Sequence, residues 1–142
     1  WRPRRILVPS NGSQAAMRAA QVAFALVDDS DQQINILRVV EDQASREPMD
    51  LAGRLLDRQK LIAAESVEKL RDMGATQGIV AQAEVVVGPE PAKAILQTVE
   101  RLHIDLIILG TNVSVGSERL HLGPRVERIL GNAPCPVIVL NS

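Results

Sequence analysis

The sequence predicts an α/β domain with an open, doubly wound parallel sheet of five strands and helices on both faces. Five short apolar runs alternate with segments of helical periodicity. The fourth run, residues 106–109, contains no polar residue, which is typical of a parallel strand covered by helices on both sides. The length of 142 residues suits one core, so we predict a single domain over residues 1–142, with residues 1–5 as a linker or terminus.

The predicted strands are apolar runs that end at turn-forming residues. Pro9 stops the first run, and Asn11-Gly12 forms the turn that follows. Gly88-Pro89 ends the third run, and Gly110 ends the fourth. The predicted strands cover residues 6–8, 34–40, 83–87, 106–109 and 137–140.

Four helices are predicted between the strands. The first, over residues 14–27, has small residues at helical spacing and is able to pack closely on a sheet. The second runs from about residue 50 to 73 and stops at Gly74. Pro91 begins the third, and Gly123-Pro124 begins a short fourth. The predicted buried stripes of the first three are Ala16, Ala20, Ala23 and Val27; Leu55, Ile62, Ser66 and Met73; and Ala92, Ile95, Leu96 and Val99.

Composition and charge exclude several classes of function. A formal net charge of −1 argues against a nucleic-acid-binding surface, because neutralising phosphates needs clustered Lys and Arg. No apolar run approaches the roughly 18 residues that span a bilayer, so we expect no direct membrane insertion. The single cysteine, Cys135, forms no intrachain disulfide and fits a reducing compartment, which favours a cytoplasmic location.

No arrangement of residues predicts catalysis, so we expect the chain not to be an enzyme. No Cys/His cluster has metal-ligand spacing, and no metal site is predicted. Ser13 lies by a turn but has no base placed beside it. His103 ends a helix, and we expect it and His121 to be capping or surface residues. Cys135 begins a strand between two prolines, which predicts an inert core thiol.

The candidate ligand site lies beyond the carboxyl ends of strands one, two and four, because ligands of such sheets bind where the strand order reverses. These ends are residues 9–13, Val39-Val40 and the loop 110–123. Gly110 and Gly116 allow backbone amides to approach a ligand closely, and Gly123 precedes a helix whose amino terminus attracts an anion. The alternative is that these glycines only end strands and begin helices.

Three segments resemble the universal stress protein family. Residues 6–13, Ile-Leu-Val-Pro-Ser-Asn-Gly-Ser, resemble its opening, where an Asp usually stands at the position of Asn11. Residues 110–123 resemble its nucleotide loop, a Gly, two residues, a Gly, nine residues, a Gly and then a Ser or Thr, and residues 126–139 resemble its ending. The resemblance implies the strand order 3-2-1-4-5 and a dimer through the last strand. In members that bind ATP, it implies adenine near Val39-Val40 and the triphosphate in the glycine loop.

The sequence departs from the family's binding pattern at three positions. Asn11 replaces the Asp, whose carboxylate would face the ribose or a metal. Val113 replaces the second Gly, and its β-branch resists positive φ. Pro124 replaces the Ser or Thr and removes a hydroxyl and a backbone donor. We therefore expect a degenerate site with no certain cofactor, at which ATP or AMP binds weakly. Its candidate residues are Pro9, Asn11, Val39, Val40, Gly110, Val113, Gly116, Gly123 and Pro124.

The leading hypothesis is a non-enzymatic, ligand-sensing regulatory domain that forms the cytoplasmic tail of a cation/proton antiporter, tethered at the inner membrane. Residues 117–120 and 122–124 resemble the loop of domains appended to bacterial antiporters, and the chain begins with Trp1 and a basic segment. The alternative is a free-standing ATP- or AMP-binding universal stress protein. A nucleotidyl-transfer enzyme ranks third, because its His- and Gly-rich adenylylation motifs are missing.

The last predicted strand favours a homodimer. It is apolar at every position, so both of its faces need cover, and in the order implied by the resemblance it is an edge strand with unpaired backbone groups. A second copy would pair with it antiparallel across a two-fold axis. The predicted interface residues are Val137, Ile138, Val139 and Leu140.

Overall fold

The computed structural model describes residues 2–42, 49–111 and 124–141, in which strands and helices alternate strictly along the chain. The elements are β1 (Arg5–Ser10), α1 (Gln14–Leu26), β2 (Gln33–Glu41), α2 (Met49–Ala75), β3 (Ala81–Gly88), α3 (Pro91–Leu102), β4 (Leu106–Thr111), α4 (Pro124–Asn132) and β5 (Val137–Asn141).

The five strands form one parallel sheet in the order β3-β2-β1-β4-β5. The predicted fold class and the strand order implied by the family resemblance are therefore confirmed. β1 is the central strand, and the chain moves outward from it first to one edge and then to the other. The strand order thus reverses between β1 and β4, which is where such sheets bind ligands.

The two neighbours of β1 pair with it over different lengths. β2 pairs with it from Arg5 through Ser10, whereas β4 pairs with it only at Ile6 and Leu7. Pro9, which was predicted to stop the strand, lies inside it opposite Leu37. Proline has no N–H for a ladder, and it stands where the pairing to β4 has already ended. β1 and β4 are therefore not paired with each other at their carboxyl ends, although each stays paired with its other neighbour, β2 and β5.

The core has one half on each face of the sheet. Helices α1 and α2 cover the first face, and the short side chains of α1 let that helix lie close to the strands. Helices α3 and α4 cover the second face. Buried residues of the first half include Ile6, Val8, Ala20, Ala23, Phe24, Ile34, Ile36 and Ile108. Those of the second include Leu7, Leu37, Ile95, Val99, Ile107 and Ile129.

The buried face of α2 differs from the predicted one. Leu55 and Ile62 are 44% and 52% exposed, so their assignment to the buried stripe was wrong, whereas Met73 of the same predicted stripe does pack against the core. Ala63, Val67 and Leu70 face the sheet instead, a set displaced by one residue, or about 100° of helix rotation. The small Ala63 lets α2 pack closely on the sheet, and this face is buried although Leu55 and Ile62 have larger apolar side chains. Neither α2 nor any other helix of the described ranges is long and apolar enough to cross a membrane.

Two residues given structural roles from the sequence can be placed. His103 is the C-cap of α3 and takes the left-handed conformation, with φ 55° and ψ 49°, as its predicted capping role requires. Cys135 precedes β5 and is half-buried against the α3/α4 side of the core, rather than beginning a buried strand. Burial raises the pKa of its thiol, and the Asp105 carboxylate adds to that shift, so the thiol stays protonated at neutral pH.

Candidate functional site

A cavity of about 590 Å³ opens at the carboxyl ends of β1, β2 and β4, where the strand order reverses. Its volume lies within the roughly 300–1,000 Å³ of small-molecule sites. Several of the residues predicted to bind a ligand lie together in its wall. They are Pro9, Asn11, Val39, Gly110 and Pro124.

The remaining predicted residues lie elsewhere. Val40 is 7% exposed and is absent from the wall of this cavity; it lines a smaller recess beside Gln59 and Ile62 of α2. Its neighbour Val39 packs on the opposite side of the sheet, against the α3/α4 half of the core. The predictions for Val113, Gly116, Gly123 and His121 concern positions outside the described residues.

Residues 10–13 form a hydrogen-bonded turn that leads into α1. Asn11 Oδ1 accepts from the backbone N–H of Ser13 at 3.0 Å, and Ser13 Oγ caps the helix by accepting from Ala16 N at 3.2 Å. Ser10 Oγ accepts from Gly12 N at 3.1 Å. Asp makes the same side-chain turn as Asn, so Asn11 keeps this geometry without the negative charge.

Gly110 is required by the approach of β4 to α1. A Cβ at this position would overlap the backbone carbonyl of Ala15, in the first turn of α1. Only glycine therefore lets the end of β4 and the amino terminus of α1 lie this close, with the cavity beside them. Whatever its role toward a ligand, Gly110 has this packing role as well.

Arg38 lies over the same turn, from the carboxyl end of β2. Gly12 has a φ of 81°, and a Cβ there would lie 2.5 Å from Arg38 Nη1, so the guanidinium occupies the space that a side chain would fill. Nη1 donates to Ser66 Oγ of α2 at 3.2 Å, and that hydroxyl donates to Ala63 O at 2.8 Å. The half-buried Arg38 side chain is thereby held in one position.

Arg125 and Glu41 form an ion pair in the wall of the cavity. Arg125 Nη2 lies 3.3 Å from Glu41 Oε1, and the two side chains are 47% and 40% exposed. The pair joins the first turn of α4 to the end of β2. One turn further along α4, Arg128 pairs with Glu90 at 3.0 Å and joins α4 to the start of α3, outside the cavity wall.

A sequence profile of the universal stress protein family matches residues 3–141, nearly the whole chain. The chain belongs to the universal stress protein family. Universal stress protein MJ0531 of Methanocaldococcus jannaschii is 29% identical over 144 residues, covering 98% of this chain and 82% of that protein. The structure of universal stress protein UspA from Lactobacillus plantarum is 28% identical, covers 99% of each chain and superposes with a TM-score of 0.84.

Two further structures of the family contain a bound nucleotide. A family member from Arabidopsis thaliana, solved with AMP bound, is 22% identical, covers 98% of this chain and 92% of that one, and has a TM-score of 0.71. A universal stress protein solved in complex with cAMP is 18% identical, covers 99% and 98% of the two chains and also has a TM-score of 0.71. At these identities the likeness shows the shared fold.

The described wall of this universal stress protein's cavity is positively charged. Its charged side chains are two arginines and one glutamate, Arg38, Arg125 and Glu41. The amino terminus of α1 also opens on the cavity, and its first turn carries no acidic residue, so no side chain there offsets the positive end of the helix dipole. The described residues therefore favour an anionic group.

Sequence reasoning missed these three charged residues. A signal was present for two of them, because Arg38 and Glu41 are the two charged residues of β2, a strand that is otherwise mostly apolar. A charge at the carboxyl end of a buried strand points to the ligand side of such a sheet. Arg125 gave no comparable signal, since its place in the cavity depends on how α4 packs.

Proposed function

We propose that this chain is a regulatory universal stress protein domain that binds an adenine nucleotide and does not turn it over. The observation that carries the proposal is the cavity at the switch point of the sheet, whose wall contains five of the binding residues predicted from the strand ends and the family resemblance. The family members solved with AMP and cAMP share this fold, which supports the same class of ligand here.

The absence of turnover is supported by how the hydroxyls of the cavity wall are used. Ser10 and Ser13 each accept a hydrogen bond from a backbone N–H of the turn, which commits them to fixing the start of α1. No histidine of the described residues lines the cavity to serve as a base for either hydroxyl. Steady ATP hydrolysis near 1 s⁻¹, roughly the low end of enzyme rates, that survives repurification would contradict this part of the proposal.

Binding of ATP is proposed to be weak. Pro124 begins α4 at the cavity without an N–H or a hydroxyl, and Asn11 brings no carboxylate. We expect calorimetry to give an ATP dissociation constant above about 10 μM, or about −7 kcal/mol. A smaller constant would contradict the degenerate loop, and no detectable binding of AMP, cAMP or ATP would contradict nucleotide binding itself. The double variant Val113→Gly with Pro124→Ser should bind ATP more tightly than the unmodified chain.

A homodimer through β5 is the assembly we propose for this domain. Ile138 and Leu140 pack against the α1/α2 half of the core, and Val137 and Val139 pack against the other half. Both faces of β5 are thus partly covered within the chain, more than its sequence led us to expect. Its outer backbone edge has no neighbouring strand among the described residues, and a second β5 is the partner that satisfies it.

We propose a cytoplasmic location, with the domain acting as the regulatory tail of a cation/proton antiporter. The support is the resemblance of residues 117–120 and 122–124 to the loop of such appended domains. The competing proposal is a free-standing nucleotide-binding stress protein. The reading frame upstream of Trp1 separates the two: apolar spans there support the tail, and an immediate start codon supports the free-standing protein.

A further inference from the structure

Two arginines from different elements reach the same cavity. Arg38 comes from β2 and belongs to the side of the sheet that α1 and α2 cover, whereas Arg125 comes from the first turn of α4 on the opposite side. Guanidinium groups bind phosphate oxygens through charge-assisted hydrogen bonds, often two at a time. The wall of this cavity also contains Pro124, a position without an N–H to donate.

Arg38 is already arranged for binding an anion. Arg38 is half-buried, and its guanidinium lies over Gly12 and donates to Ser66 Oγ, whose own proton goes to the Ala63 carbonyl. Among the described residues no carboxylate lies within ion-pair distance of Arg38. A cation fixed in this way loses little side-chain entropy when a ligand binds.

Arg125 is placed differently, because it has a competitor. Glu41 lies 3.3 Å from its guanidinium, in the wall of the same cavity. Exposed ion pairs of this kind contribute little, about 0–1 kcal/mol. A phosphate, which carries close to two negative charges at neutral pH, is able to replace the single carboxylate as the partner of Arg125.

We propose that Arg38 and Arg125 together bind the phosphate of the nucleotide, and that Glu41 holds Arg125 at the cavity until the phosphate displaces it. Guanidinium side chains would thus donate to the phosphate some of the hydrogen bonds that backbone N–H groups would otherwise donate. The inference rests on the proposed function and narrows its ligand to a nucleotide with a phosphate group, as opposed to a nucleoside. Ser66 is a positioning residue, which acts through Arg38.

The test is calorimetry on the full chain with AMP and with adenosine, which differ only in the phosphate. We expect AMP to bind at least tenfold more tightly than adenosine. Arg125→Gln and Arg38→Gln should each weaken AMP binding by about tenfold or more, the loss of a hydrogen bond to a charged group. Adenosine binding should change by less than about twofold, which is small beside the effect of one such bond.

Arg128→Gln is the matched control for Arg125→Gln. It removes the same charge from the same helix and also breaks an exposed ion pair, but Arg128 does not line the cavity. It should leave AMP affinity within about twofold of the unmodified chain, as expected for a screened surface charge. Thermal denaturation of each variant checks that the fold is kept.

Glu41 and Ser66 give tests of opposite sign. Glu41→Gln removes the competitor of the phosphate, so AMP affinity should rise by about two- to fivefold, the range of an exposed ion pair. Ser66→Ala should lower AMP affinity severalfold by releasing Arg38, and it should have no further effect in the Arg38→Gln background. A purely structural role for Ser66 predicts the same loss in both backgrounds.

The outcomes separate this inference from the function on which it rests. Equal affinity for AMP and adenosine, or equal effects of Arg125→Gln and Arg128→Gln, overturns the arginine site and leaves nucleotide binding in place. A lower AMP affinity in Glu41→Gln overturns the role of Glu41 as a competitor. If neither AMP, adenosine nor ATP binds, both the inference and the proposed function fail.

Discussion

Replacing Gly110 with alanine tests whether the cavity depends on the close approach of β4 to α1. The new Cβ would overlap the carbonyl of Ala15, which is backbone and has no rotamer to change. Relief therefore needs a shift of the first turn of α1 or of the end of β4. Overpacking of a core costs about 1–3 kcal/mol. Because the overlapping atoms belong to the backbone, we expect the cost of Gly110→Ala to lie near the upper end of that range.

Gly53→Ala is the matched control because it makes the same chemical change at an open position of α2. Nothing lies within 4 Å of a Cβ built on Gly53, and the residue is inside a helix. Alanine is the better helix former by about 1 kcal/mol, so this variant should be more stable than the unmodified chain. The two substitutions are thus expected to change stability in opposite directions.

The assay is urea denaturation at 25 °C, followed by AMP calorimetry on the folded variant. We expect the free energy of unfolding of Gly110→Ala to fall by about 2–3 kcal/mol. Its AMP affinity should fall as well, because the turn that carries Asn11 and Ser13 moves with α1. A stability within about 0.5 kcal/mol of the unmodified chain, typical of neutral surface changes, would refute the argument from close packing.

Two further predictions concern α3 and β5. His103 holds a left-handed conformation that favours glycine, so His103→Gly should raise the free energy of unfolding by about 0.5–1 kcal/mol, seen as a higher melting temperature; a decrease would contradict the strain argument. Sedimentation velocity at micromolar concentration should show a dimer, which Val139→Pro weakens if its N–H points to the partner strand. A pure monomer of the unmodified chain would contradict the proposed assembly.

The strands were predictable because each is apolar over its middle and is flanked by turn residues. The ends of the strands were less predictable, since β1 continues through Pro9 and β3 begins at Ala81. Pairing with a neighbouring strand decides where each strand ends. The face of α2 was not predictable from periodicity alone. Leu55 and Ile62 have helical spacing, but Ala63 allows the closer approach to the sheet.

The residues of the candidate site likewise include some that were predictable from the sequence and some that were not. Pro9, Asn11 and Gly110 were found from the sequence because strand ends and a family pattern mark them. Arg125 was not, because it enters the cavity only through the packing of α4 on α3, a contact between distant parts of the chain. Glycine was read as a sign of ligand approach, whereas at Gly110 helix packing already demands it.

Asn11 and the two arginines of the cavity wall change the charge of the site in the same direction. Asn11 keeps the turn of an Asp while removing its charge, and Arg38 and Arg125 add positive charge to the same cavity wall. Pro124 removes a backbone N–H donor. A backbone donor acts at short range and in a fixed direction. Arginine side chains are longer, and their attraction extends further but is screened by salt. We therefore expect the site to bind one compact phosphate with an affinity that falls as ionic strength rises, and to bind a triphosphate, which needs donors along its length, less well.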